Sequence, residues 1–151
     1  MAGIGYLPIA VALLGLVVLY SLYTYNQIKP LKAALTRVID QMAEVSRERK
    51  MLIINYDQQN DDPAMAEAAA ELKKTSTDRF QSYKKEETLL NVTSEAAAAV
   101  SDDGVKKEVL DLNDRQRGHI KNLEAASTKY NGFISKQPAK TVASLFGFRP
   151  F

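Results

Sequence analysis

No charged side chain occurs between Ile4 and Tyr25. A run this apolar is not free to join the surface of a soluble fold, so it limits what the rest of the chain can become. "LPIAVALLGLVVLYSLY", Leu7 to Tyr23, supplies with its flanks about 20 apolar residues, enough to cross ~30 Å of hydrocarbon as a helix. Leu7, Val11, Leu14, Val18 and Tyr23 mark the expected span, and Tyr6, Tyr20, Tyr23 and Tyr25 stand at its edges, where interfacial rings sit. A cleaved signal peptide needs a basic leading region and a small-x-small cleavage site, and "SLYTYN" offers neither. A buried core helix is the other rival, but core helices of small proteins rarely run this long without a charge. The sequence is read as an uncleaved single-pass anchor over residues 1–26, with the lipid bilayer as its partner.

Orientation follows from the basic residues. None precedes the span, while Lys29, Lys32 and Arg37, then Arg47, Arg49 and Lys50, follow it. The positive-inside rule puts the N-terminus outside and the body in the cytoplasm. At 151 residues there is room for one domain, and a net charge of +2 is too small to argue for a nucleic-acid partner. With no cysteine there is no disulfide, thiolate metal site or cysteine nucleophile.

The body, residues 27–138, reads as helix throughout. Ile28, Leu31, Leu35, Val38, Met42, Val45, Leu52 and Tyr56 step by threes and fours, a heptad seam that predicts a long helix packed on partner helices. Pro30 denies a hydrogen bond to the Asn26 carbonyl, which predicts a kink or restart at the membrane exit. Asp62 and Pro63 open a second helix expected to reach Val100, with "TST" at Thr75–Thr77 as its weak point. "SDDG" forms the next turn, with Gly104 suited to positive φ. A third helix follows through Val105, Val109, Leu112, His119, Ile120, Leu123, Tyr130 and Ile134 to Pro138, and "AKTVASLFGF" adds two short turns stopped by Gly147. No alternating strand pattern is present. The expected fold is all-α, an N-terminal transmembrane helix continuing into an antiparallel bundle of long helices.

The last segment, residues 139–151, is aromatic. Phe146, Phe148 and Phe151 are too costly to leave in water, each worth about 1.5–3 kcal/mol when buried. Counting three long helices places this tail at the tip far from the membrane. There it would fold back as a lid or dock on another subunit. Contact with its own bilayer would require an extra reversal, for which Thr75–Thr77 is the available break.

"YNGFISKQPAKTVASLFGFRPF", Tyr130 to Phe151, resembles the end of LemA-family proteins, in which a Tyr-Asn pair, a Pro eight residues after the Tyr, and an Ala-x-Leu-Phe-Gly-Phe-Lys-Pro-like run recur in that order. The start is similar too, since an apolar helix runs into Tyr25-Asn26. "RKMLIIN" matches the family's Arg-x-x-Leu-Ile-Pro-Asn at Arg49, Leu52, Ile53 and Asn55, with Ile54 in place of Pro. The middle matches poorly, so the chain resembles a divergent, compact member. The resemblance implies a bacterial membrane-anchored helical bundle without established catalysis, in a family where some members organise internal membranes.

Sites for chemistry are sparse. The early glycines precede a span rather than joining a strand to a helix, so no phosphate loop is read. Glu86-Glu87, Asp61-Asp62 and Asp102-Asp103 are neighbours that point to different faces of a helix or lie in turns. His119 falls beside the apolar seam, where packing and pH sensing are the two readings. Arg49 interrupts the first seam where an apolar residue is due. It must snorkel or meet a carboxylate on a facing helix, as a register-fixing pair or as an anion or partner site. No catalytic, cofactor or metal residue is assigned. The interaction candidates are Arg49, Phe146, Phe148 and Phe151. The function expected is a self-associating membrane scaffold at the bacterial inner membrane, with a membrane-tethered adaptor that recruits a protein partner as the alternative.

Overall fold

The computed structural model describes residues 5–77 and 79–151. It contains five helices and, among the described residues, no strand: α1 Leu7–Gln59, α2 Pro63–Lys74, α3 Tyr83–Ala99, α4 Asp103–Ile134 and α5 Ala139–Leu145. The chain divides into two compact units. One takes the residues up to Leu35 together with Ala125–Phe151, and the other takes Thr36–Glu124.

In the first unit the apolar N-terminal portion of α1 is bare. Leu7, Val11, Leu14, Val18 and Tyr23 are all exposed, and only 6% of the most apolar 18-residue window is buried. At 1.5 Å per residue the stretch Leu7–Tyr25 is about 28 Å long, close to a bilayer's hydrocarbon thickness. Length and composition therefore suit α1 to crossing a membrane, a test that core helices and signal sequences also pass. Pro30 lies inside α1 and does not restart it. Ile28 and Leu35, on either side of the proline, are essentially fully buried, so packing holds both flanks in helix against the lost hydrogen bond.

In the second unit, one apolar core joins Ile53 and Tyr56 of α1, Met65, Ala68, Ala69 and Leu72 of α2, Leu89, Ala96 and Ala97 of α3, Val100, and Val109 of α4. The alanines let the helix backbones approach closely. The continuous helix expected from Pro63 to Val100 is instead two helices. Thr75 turns to extended backbone at the end of α2, its Oγ1 donating to the Glu71 carbonyl at 2.9 Å. Lys50 Nζ donates to the Thr75 carbonyl at 2.9 Å, and Ser82 Oγ accepts the Lys85 amide at 3.1 Å to start α3. Thr75 and Ser82 thus satisfy backbone groups at the two facing helix ends, and the chain breaks fully where a kink was expected.

The turn after α3 also departs from expectation. Gly104 is helical, and Asp102 Oδ1 caps α4 by accepting the Gly104 and Val105 amides at 2.9 and 3.1 Å. Positive φ is taken by Gly147 alone among the described glycines, at 76°. There the Phe148 amide donates to the Ala143 carbonyl at 2.8 Å and the Gly147 amide to Ser144 at 3.3 Å, a Schellman stop for α5.

Asp62 ties three helix ends together. Its carboxylate accepts the Ala64 amide at 3.0 Å, the Ser101 amide and hydroxyl at 3.3 and 3.1 Å, and the Tyr56 hydroxyl at 3.3 Å. The Ala64 amide, then that of Ser101, holds the carboxyl below its usual value near 3.8. A carboxyl lowered in the folded chain stabilises fully above its unfolded value, and that contribution is lost as pH falls through the folded value. Asp62→Asn is therefore expected to flatten the acid limb of thermal stability between about pH 5 and pH 2, and Asp62→Ala to lower the melting temperature at neutral pH as well. Circular dichroism melts across that range check both.

Candidate functional site

Two constellations stand out, one in each unit. In the second unit the apolar seams of α1 and α4 are broken by polar residues at matching positions. Arg49 interrupts α1 after Val45, and Asn113 and Gln116 interrupt α4 after Val109 and Leu112. Arg49, Asn113 and Gln116 are all completely buried. Arg49 Nη1 donates to Asn113 Oδ1 at 3.0 Å. Asn113 Nδ2 donates to Thr93 Oγ1 at 3.0 Å and to Ser94 Oγ at 2.9 Å, which carries the network onto α3. Gln116 Nε2 reaches Ser46 Oγ at 3.1 Å on α1 and Glu86 Oε2 at 3.2 Å on α3. Pairs between α1 and α4 thus run in opposite order, with Arg49 opposite Asn113 and Ser46 opposite Gln116.

This differs from the expected ion pair in one respect. The direct partner of the guanidinium is an amide oxygen, and Glu86 acts on Arg49 through its charge while its own hydrogen bond goes to Gln116. Burial lowers the Arg49 pKa, and Glu86 opposes that shift. Arg49 Nε and Nη2 are buried without a partner, as is Gln116 Oε1. The cluster fixes the register of three helices at an energetic cost, because a buried charge is stabilised only where its hydrogen bonds are made. Nothing in it combines a nucleophile with a base. His119 is half-buried, its pKa lowered by desolvation and by Arg115 and opposed by Glu44. Among the described residues no group of three His, Asp or Glu side chains is placed to hold a metal.

The first unit holds the aromatic tail, and its place differs from that expected. Phe146 and Phe148 pack on the Tyr25 ring at the end of the apolar stretch of α1, with centroids 4.9 and 5.7 Å away. The far tip followed from counting three long helices, and the break between α2 and α3 supplies the additional reversal. Two residues of the last turns of α4 clamp the tail. Tyr130, fully buried, donates its hydroxyl to the Arg149 carbonyl at 2.8 Å. Asn131 accepts the Phe151 amide at 2.8 Å and donates to the Phe151 carbonyl at 3.3 Å. Burial raises the Tyr130 pKa and keeps its phenol a donor, while Lys32 Nζ lies 5.4 Å from its ring centroid. The tail is thus tied to its own chain, yet Phe148 is half-buried and Leu145, Phe146 and Phe151 keep large exposed areas.

No protein-family model, curated protein or solved structure matches the chain. The site therefore rests on its geometry. Sequence reasoning isolated Arg49 but missed Asn113, Gln116 and Glu86. The signal for the first two was the gap between Leu112 and His119 in the α4 seam, whereas nothing in the pattern marked Glu86 as buried.

Arg49→Met is expected to leave the fold intact and the melting temperature unchanged or higher, because Asn113 keeps Thr93 and Ser94. Asn113→Ala leaves the guanidinium without a hydrogen bond and should cost about 2–4 kcal/mol. The double variant should recover most of that loss in denaturant titrations. For the tail, Asn131→Ala should speed hydrogen exchange at the Phe151 amide at least tenfold and leave the exchange of α2 and α3 unchanged.

Proposed function

We propose that this chain is a single-pass membrane protein whose helical body is an antiparallel bundle serving as a self-associating scaffold at the bacterial cytoplasmic membrane. The observation that carries this reading is an uncovered, charge-free helical span that continues without interruption into a helical body. The polar cluster in that body sets register and brings no reactive groups together. An assembly role uses the features present, namely an anchor, long helices in fixed register and an exposed aromatic edge. Enzyme chemistry would need a constellation that these residues do not form.

The proposed LemA-like kinship rests on the motifs of the first and last segments. Several of those residues have defined physical work: Tyr25, Tyr130, Asn131, Phe146, Phe148 and Gly147 form or shape the tail clamp. The body is placed in the cytoplasm on the basic residues that follow the span.

A second reading, a membrane-tethered adaptor, is favoured by the tail itself. Leu145, Phe146 and Phe151 remain 75, 48 and 40% exposed although the backbone around them is clamped. A fixed apolar edge of this kind suits capture of a partner protein.

Sizing the protein in mild detergent separates the two readings. The scaffold reading expects a uniform particle several times the monomer mass, and a lone monomer favours the adaptor. Deleting residues 145–151 should leave helix content near its starting value and dissolve the particle if the aromatic edge is the contact. Labelling of a cysteine placed at Lys136 is expected only after the cells are opened, and labelling of intact cells would reverse the orientation.

A further inference from the structure

The charges of this chain are segregated by unit. The unit comprising the residues up to Leu35 and Ala125–Phe151 holds six of the 20 Lys and Arg residues and none of the 18 Asp and Glu residues. The other unit holds the remaining fourteen basic residues against all eighteen acids. The one unit that contains the bare apolar helix is therefore purely cationic, and the body is net acidic. A net charge of +2 conceals this completely.

Within the cationic unit a cleft of about 440 Å³ opens between the end of the apolar stretch of α1 and the end of α4. Tyr20, Tyr23 and Gln27 line one side, and Lys129, Phe133 and Lys136 line the other. Both lysines are exposed, and neither has an ion-pair partner among the described residues. The helix face that carries Tyr20, Tyr23 and Gln27 at steps of three and four continues toward the N-terminus as Leu13 and Leu16, both exposed. A doubly cationic cleft thus opens directly onto an apolar track, with two tyrosines at the boundary.

We propose that this cleft binds a single anionic glycerophospholipid, its phosphate held between Lys129 and Lys136 and an acyl chain lying along Leu16 and Leu13. The chemistry of the lining matches each part of that ligand. Two ammonium groups face the phosphodiester, Gln27 offers an amide to the glycerol or headgroup hydroxyls, and the tyrosine rings sit at the depth of the ester linkages. The unit has no acidic side chain to compete with the lipid for the two lysines. A zwitterionic lipid brings a choline or ethanolamine cation into the same uncompensated positive field and is disfavoured.

The proposal rests on the membrane reading, and the test separates the two. Full-length protein is mixed with vesicles of phosphatidylcholine alone, and with vesicles in which about a third of the lipid is phosphatidylglycerol. Flotation with the neutral vesicles reports the anchor. Lipid retained through detergent extraction, read by native mass spectrometry, reports the cleft. One phosphatidylglycerol per chain is expected, in preference to phosphatidylcholine. The Lys129→Gln/Lys136→Gln variant should lose about 20-fold in that preference, given two lysines near an anionic headgroup. Lys140→Gln/Arg149→Gln removes the same charge from the same unit outside the cleft and should retain the lipid. Circular dichroism confirms that both variants fold.

Equal loss in the two variants would make the effect a general surface potential and overturn the cleft. So would equal retention of both lipids, or saturable binding of inorganic phosphate that displaces the lipid. Failure to float with neutral vesicles would remove the membrane reading and this proposal with it.

Discussion

The hydrogen bond from Arg49 to Asn113 decides how the body is put together. A guanidinium at zero exposure resists slip of its helix, since one turn along α4 it would face Val109 with no acceptor, or Gln116, whose amide is already committed to Ser46 and Glu86. Asn113 in turn engages Thr93 and Ser94, so the same contact fixes α3. Apolar seams of leucine, valine and alanine interdigitate almost equally well in several registers. The polar interruptions make one of them unique, and the orphaned Nε and Nη2 atoms are the cost of that specificity.

Helical content was legible because periodicity is a strong signal over long segments. The apolar N-terminal helix, the seam from Ile28 to Tyr56, the Asp62–Pro63 start and the Gly147 stop all rest on local chemistry, and the helices follow it. Two other readings failed for an equally local reason. The Thr75–Ser82 stretch shows neither Gly nor Pro, so the capacity of Thr75 and Ser82 to satisfy nearby backbone was underweighted against the alanine-rich flanks. Gly104 attracted a turn assignment that belonged to Asp102, whose carboxylate caps the helix and leaves the glycine inside it.

The site was half legible. An arginine on an apolar seam announces itself, but its partner does not, because a carboxylate is the obvious expectation and a neutral amide leaves no charge signature. The tail's position depends on the number of chain reversals, so a full break between α2 and α3, where a kink was expected, moves it from the far tip to the end of the apolar stretch of α1. Once there, the motif residues explain one another. Tyr25 offers a ring, Gly147 turns the chain back, and Tyr130 and Asn131 hold the backbone beyond it.

The Asp62 carboxylate makes the α2–α3 hairpin mechanically unequal at its two ends. At one end, α1, α2 and Ser101, two residues beyond α3, all converge on a single side chain through four hydrogen bonds. At the other end, Lys50 of α1 donates to the Thr75 carbonyl through one long side chain. Local opening therefore works like a hinge with its pin at Asp62. The core around Met65 and Ala97, on the Asp62 side, is the last part of the hairpin to be wetted.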